Sequence, residues 1–433
     1  MESVELSCGS QVLIEEDRSL PIVDVAVLWR LGAIDDPEGS EGQARMLARL
    51  LRRGEPKGQP SIDERVARLG GRLAITIGRN TVRLHGTVLA RHLDPFVELL
   101  GELLCSPRFR ETDLRREKRR VRSELDAVLD DDGSLAHRQL RRTIFGDHVV
   151  ATPVGGTHAS VGRIRRSAIA EMHAEALTGR RLLFGAAGDV DAQTITPMLE
   201  NAFGQLKKGR ANRPKLPAPK MAKGRRVVIV DKPDRTQTQL GMGTLGARVG
   251  DPDLAALVVG DTGFGGLFTA RLMQAVREER GWSYSAYSQL GAAVQREAWA
   301  MWTHPSVAQL GDCARLQLDL LEDWVSGGLK ATEIRFAKRY LVGSRCLDED
   351  TAARRLELAL DAVNLGFPMD RPAGYTRRIR AVKRADANAA VAKRIDPKRL
   401  AIVAVGEAKT LVPLLEGLPG VVDVQVTKPR SLL

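Results

Sequence analysis

Hydrophobic and polar residues alternate over Ser10–Glu15 and Ile22–Trp29, and again over Gly71–Ile77 and Thr81–Leu89, where Gly78, Arg79 and Asn80 separate the last two runs. A period of two places successive side chains on opposite faces, so these stretches predict four strands, the last two forming a hairpin. Between Glu41 and Arg53 the period lengthens, and Ala44, Met46, Leu47, Leu50 and Leu51 fall on one side of a helix. Ile62–Leu69, His92–Leu104 and Glu111–Val128 keep that helical spacing. Gly32–Gly39, with Pro37 inside it, turns the chain. Strands in meander pairs with helices segregated between them predict an α+β fold, a mainly antiparallel sheet with helices on one face.

The pattern recurs. Arg181–Val190 and Arg399–Ala408 are both apolar strands ending in glycine and an acid, and Arg181 and Arg399 lie 218 positions apart, as do Gly188 and Gly406. A helical stretch precedes each, Ile164–His173 and Ile379–Asn388, and a short amphipathic helix follows each, Ile195–Phe203 and Leu411–Leu415. The chain therefore reads as two copies of one α/β unit. Between them, residues 207–226 combine three prolines with many cations, which predicts a stiff, solvated linker and the first site of proteolytic nicking. The expected organisation is an N-terminal half over residues 1–206, that linker, and a C-terminal half over 227–433.

One stretch of the second copy carries candidate chemistry. In Gly260–Ser288, the glycines at 260, 263, 265 and 266 oppose an early helix, each costing about 1 kcal/mol against alanine. They predict a flexible hinge. From Leu267 the positions Leu267, Leu272, Ala275 and Val276 form a helical stripe, Gly281 ends it, and Trp282–Tyr287 alternates as a strand does. Arg277 is thereby expected in a last helical turn and Tyr284 on the following strand. A guanidinium and a phenol both donate hydrogen bonds near neutral pH and can together hold a peptide carbonyl or a developing oxyanion. The alternative is an ordinary ion pair and a core tyrosine.

Composition narrows the classes. The 433 residues, 43% hydrophobic and 28% charged, suffice for a sizeable core in two or more domains. No run approaches the length of apolar sequence that spans a bilayer. Met1–Cys8 lacks a basic region followed by an apolar one, so the expected location is the cytoplasm, or the periplasm if a signal has been removed. Cys8, Cys105, Cys313 and Cys346 are scattered and form no CxxC pair. The net charge of +12 is the one feature pointing toward nucleic acid, but the basic residues are interleaved with acids and only 4% of residues are aromatic. The seven histidines include no pair at helical metal-binding spacing.

Residues 269–285, TARLMQAVREERGWSYS, resemble the C-terminal-half signature of the pitrilysin family of zinc peptidases, which includes the mitochondrial processing peptidase. Phe145–Thr157, Gly188–Asp191 and Arg181–Phe203 resemble further family segments, so the resemblance covers nearly the whole chain. It implies the processing-peptidase-like metallohydrolase fold, with Arg277 and Tyr284 as the pair that binds substrate and supports the transition state. The loop at Gly263, Gly265 and Gly266 is implied to flank bound peptide.

The departure lies in the helix Gly42–Gly54. Active relatives read GxxHxxEHxxFxG there, with two histidines on zinc and a glutamate activating the bound water. This sequence has Arg45 and Arg49 for the histidines and Ala48 for the glutamate. A guanidinium has no lone pair to offer and repels a dication. Glu124, 75 residues after Arg49, falls where the family's distal ligand does, with Glu117 two turns before it. Without histidines, both are expected to form ion pairs with Arg45 and Arg49.

The combination implies a subunit that holds no zinc or other cofactor and supplies Arg277 and Tyr284 to a homologous partner carrying HxxEH and zinc. The two would form a heterodimer that cleaves unfolded peptide. The alternative is a lapsed structural or adaptor member, and a nucleic-acid-binding module stands third.

Overall fold

The computed structural model describes residues 1–53, 58, 60–211 and 216–433. Gly54, at the end of the degenerate zinc motif, and residues 212–215 of the expected linker lie outside them.

The alternating runs of the first half build a six-stranded sheet. Its strands are β1 (Glu2–Glu5), β2 (Gln11–Glu16), β3 (Ile22–Trp29), β4 (Arg72–Ile77), β5 (Val82–Leu89) and β6 (Leu182–Gly188), in the order β1-β2-β6-β3-β5-β4. Only β2 and β6 run parallel; the other neighbours are antiparallel. Register on β3 and β6 sets Val25 opposite Ala186 and Val27 opposite Phe184. These four face one core, while Ala26, Leu28 and Leu183 face the other side.

The second sheet repeats the plan. It comprises β7 (Gly224–Asp231), β8 (Gln239–Leu245), β10 (Ala286–Leu290), β12 (Ala298–Thr303), β13 (Arg399–Gly406) and β14 (Val421–Thr427), in the order β10-β12-β8-β13-β7-β14. Short strands β9 (Ala247–Arg248) and β11 (Ala292–Ala293) form a separate parallel pair. The repeated sequences at 181–190 and 399–408 become β6 and β13, each flanked by one parallel and one antiparallel neighbour. The helices after them, Ala192–Phe203 and Ala408–Glu416, both contain a proline, Pro197 and Pro413. Of the helical stretches before them, Ile164–His173 is helical from Arg166 onward, and Ile379–Asn388 breaks in two at Val382–Lys383.

The chain packs as two compact units. One comprises residues 1–125, 152–215 and 346–373, the other 126–151, 216–345 and 374–433. Each half of the chain supplies most of one unit and one helix to the other. A sheet apolar on both faces explains the exchange. Helices of the first half cover one face of the first sheet, and helix Ala352–Asn364 covers the second face with Ala352, Leu356, Ala359 and Leu360 against Leu13, Ala26, Leu28 and Leu183. Helix Asp132–Phe145 packs on β7, β8 and β13 of the second sheet. Strand β7 begins at Gly224, inside the stretch expected as linker.

Candidate functional site

Two groups of candidate residues lie in different units. The first is on helix Gln43–Leu51. The preceding turn aims Asp36 at the helix start, where its carboxylate accepts the N–H groups of Gly42 and Ala44 at 2.7 Å each. Those donors are ones a helix's first turn leaves unmatched. Gly42 has φ +94°, and a Cβ there would stand 2.8 Å from the Gly155 carbonyl oxygen, so only glycine suits the entry. Ala44, Met46, Leu47, Ala48, Leu50 and Leu51 then anchor the helix in the core.

Arg45 and Arg49, one turn apart, leave the core on the same side. Both reach Glu124 on helix Glu111–Ala127. Arg45 Nη2 donates to it at 2.8 Å, and Arg49 Nη2 lies 2.7 Å from both carboxylate oxygens. Glu117, two turns earlier and buried, takes weaker contacts from Arg49 at 3.4 Å and Arg53 at 3.3 Å. Arg120 adds a contact to Glu124 at 3.4 Å.

Burial pushes the Arg45 guanidinium below its ordinary pKa and the Arg49 charge adds to the fall, with Glu124 opposing both. Burial likewise disfavours the Glu124 carboxylate, yet the hydrogen bonds and charges of Arg49 and Arg45 outweigh it and hold that group below the ordinary carboxylate range.

This donor set does not fit zinc. Ala48 is a buried methyl where a base would stand, and both carboxylates are committed to guanidinium groups. Among the described residues there is no cluster of three histidine, cysteine, aspartate or glutamate side chains that could hold a metal ion.

The second group is the Arg277 corner. Here the structure corrects the expected hinge. Gly260 and Gly263 lie inside helix Leu254–Phe264, which is apolar nearly all round and mostly buried. A Cβ on Gly260 would meet Val391 at 2.6 Å, and one on Gly263 would meet Leu329 at 2.6 Å. The glycines serve close packing, and that packing offsets their poor helix propensity. Gly265 is buried beside Ser288, while Gly266 is exposed.

The expected helix from Leu267 is also shorter than its spacing suggested. Arg271–Met273 is helical, and Gln274–Glu278 then widens into a π turn, with the Glu279 N–H bonded to the Gln274 carbonyl at 3.0 Å. Tyr284 precedes strand β10, which begins only at Ala286, because the Ser283 hydroxyl holds residues 283–285 in a turn by donating to the Ser285 carbonyl at 2.6 Å.

The corner nevertheless joins Arg277 and Tyr284. The guanidinium lies 4.7 Å from the centre of the Tyr284 ring and 4.4 Å from that of Phe268, within cation–π range of both. Phe268 and Tyr284 are 60% and 84% exposed, so this aromatic clasp faces solvent. Arg277 Nη1 is buried with no hydrogen-bond partner among the described residues. Most buried donors are matched, so an orphan stands out at such a place.

Sequence reasoning missed Phe268 and the support beneath the corner. Asp261 is fully buried and accepts from the Ser288 hydroxyl at 2.6 Å and the Trp299 indole N–H at 2.7 Å, tying the helix to β10 and β12. Burial pushes its carboxyl up against those hydrogen bonds. The signal was available: it is the one charged residue in LAALVVGDTGF.

Residues 11–158 match the family described as Insulinase (Peptidase family M16), and residues 163–341 match the one described as Peptidase M16 inactive domain. An uncharacterized zinc protease of Mycobacterium tuberculosis is 30% identical over 83% of this chain and 82% of its own. The chain belongs to peptidase family M16. A Helicobacter pylori relative named a non-peptidase homolog is 24% identical, over 83% of each chain. The fold matches a Pseudomonas fluorescens structure titled an M16 inactive domain, with TM-score 0.87 and 23% identity over 94% of this chain and 97% of that one. It also matches a chain of Complex III from Candida albicans, with TM-score 0.78 and 16% identity over 95% and 97%. Within M16, this chain is of the inactive type, its zinc helix filled by arginines.

Proposed function

We propose that this M16 chain is the zinc-free subunit of a two-chain peptidase, lending Arg277 and Tyr284 to a peptide held at the zinc of a homologous subunit that carries HxxEH. The solvent-facing clasp of Phe268, Arg277 and Tyr284, with an unmatched guanidinium N–H, carries the reading. Arg277 would donate to a substrate carbonyl as negative charge develops on it, and the Tyr284 hydroxyl would add a second donor. The loop at Gly263, Gly265 and Gly266 would place backbone beside the same peptide, Gly266 being its exposed member.

The test is reconstitution. The purified chain alone should leave unfolded peptide intact, and mixing with a zinc-motif homologue should produce chelator-sensitive cleavage. Arg277→Ala and Tyr284→Phe should each lower that rate more than about tenfold, the scale of losing an oxyanion donor. Tyr284→Phe keeps the ring on the guanidinium and removes only the hydroxyl. A structural or adaptor role is favoured by the contacts themselves, since the Arg277 guanidinium already lies within cation–π range of two of the chain's own rings. Cleavage indifferent to both substitutions would select that role.

A further inference from the structure

Helix Glu111–Ala127 sorts its charges by face. Leu114, Glu117, Val121 and Leu125 are buried, and Glu124 beside them is spent on Arg45 and Arg49. The glutamates that alternate with arginine in the sequence therefore turn inward. Arg115, Arg119 and Arg122 fall on successive turns of the outer side, and Arg116 is exposed next to them. None of these four has an ion pair among the described residues. The exposed acids of the helix stand only at its ends, Glu111 and Asp126.

The neighbouring backbone extends the patch. Lys118 Nζ donates to the Gly162 carbonyl at 3.0 Å, and a Cβ on Gly162 would stand 2.8 Å from Arg122 Nη2. Gly162 thus seats the guanidinium against bare backbone. Arg165 and Arg166, just beyond it, are exposed and likewise have no ion pair among the described residues. All of these arginines belong to one compact unit. Burial holds the Lys118 ammonium below its ordinary pKa, with Glu111 opposing and the Arg122 charge adding to the fall. No large apolar side chain is exposed on this helix or over residues 158–166. A helix lying in a membrane surface needs such side chains, and a stable protein interface buries an apolar core of them.

We propose that this patch binds the phosphodiester backbone of double-stranded nucleic acid without reading its sequence. The planar fork of each guanidinium matches two phosphate oxygens. A helix rises about 1.5 Å per residue, so Arg115, Arg119 and Arg122 span about 10 Å and meet successive phosphates rather than one. A duplex carries denser charge than a single strand. The main further gain a single strand offers, stacking of bases on aromatic rings, finds no exposed ring here. Charge that is interleaved along the sequence becomes a surface once the helix gives its glutamates to the arginine clamp.

The test is fluorescence anisotropy on the full chain alone, with two short labelled DNA duplexes of unrelated sequence. Both should bind equally, and affinity should fall with a log–log salt slope of about −4 to −5, as for about five phosphates neutralised. Arg115→Gln, Arg119→Gln and Arg122→Gln together should weaken binding at least about tenfold and flatten that slope by about 2–3. All three side chains are exposed, so circular dichroism should show the fold unchanged. Arg335→Gln, Lys398→Gln and Lys409→Gln remove the same charge from exposed positions of the other unit and should leave affinity unchanged. Arg277→Ala should bind duplex like the unmodified chain, which keeps this result apart from the reconstitution above. Equal weakening by the two triple substitutions would overturn the proposal, because net charge alone would then account for binding. Strong preference for one duplex sequence, or tighter binding to anionic phospholipid vesicles or to polyglutamate than to duplex at the same salt, would overturn it as well.

Discussion

Arg49 and Glu124, 75 residues apart in sequence, meet through one guanidinium nitrogen set 2.7 Å from both carboxylate oxygens. Arg45 closes on the same carboxylate at 2.8 Å. Like charges one turn apart on a helix repel, and Glu124 is what lets this pair face one way. Glu124→Gln should therefore destabilise the chain by about 1–3 kcal/mol. A fully buried pair would cost more on losing a partner, but the Glu124 side chain is 35% exposed and water softens the loss. Urea unfolding would measure it, and an unchanged midpoint would show that the ion pairs contribute nothing.

The same clamp has a defined pH signature. The folded Glu124 carboxyl lies below its ordinary value, so the native state holds its proton less tightly than the unfolded chain does. Its contribution is complete above the unfolded value of about 4.3 and is lost as pH falls through the lower folded value. The stability difference between the unmodified chain and Glu124→Gln should be constant from pH 7 to about 5 and shrink below that. A difference that persists unchanged into strong acid would contradict the assignment.

Restoring imidazoles should reverse the chemistry of the arginine clamp. Arg45→His, Ala48→Glu and Arg49→His together remove both guanidinium groups from Glu124 and free its carboxylate to act as a ligand. Calorimetric titration should detect stoichiometric zinc in the triple variant and none in the parent. A folded triple variant with no affinity for zinc would show that the surrounding shell, as well as the ligands, has diverged.

How far the sequence was legible follows from how local each feature is. Arg45, Ala48, Arg49 and Glu124 could be placed because helical spacing puts Arg45 and Arg49 on one side, strands β4 and β5 because alternation survives toward the edge of the sheet, and β6 because its apolar run recurs as β13. The exchanged helices at Asp132–Phe145 and Ala352–Asn364 could not, since each finds its apolar surface on a sheet built mainly from the other half of the chain. Gly260 and Gly263 misled because propensity is a weak prior: their missing side chains admit Val391 and Leu329, and burial then favours helix. The π turn at Gln274–Glu278 leaves no composition signal, and it governs where Arg277 points.

Asp261 gives the sharpest check on what supports the Arg277 corner. Its carboxylate receives the Ser288 hydroxyl, the Trp299 indole and a backbone hydrogen bond from Leu290, three donors from β10 and β12 converging on one fully buried group. A carboxylate accepts all three, whereas the asparagine of Asp261→Asn must turn an NH2 toward a donor and leave both unmatched. Despite near-identical size, that substitution should cost about 1–3 kcal/mol and lower the melting temperature. Its effect should reach the corner through the strand that follows Tyr284, so reconstituted cleavage should fall at temperatures where the variant remains folded. Equal stability of Asp261→Asn and the parent would mean that the buried acid is protonated and already donates to a neighbour, and the three-donor account would fail.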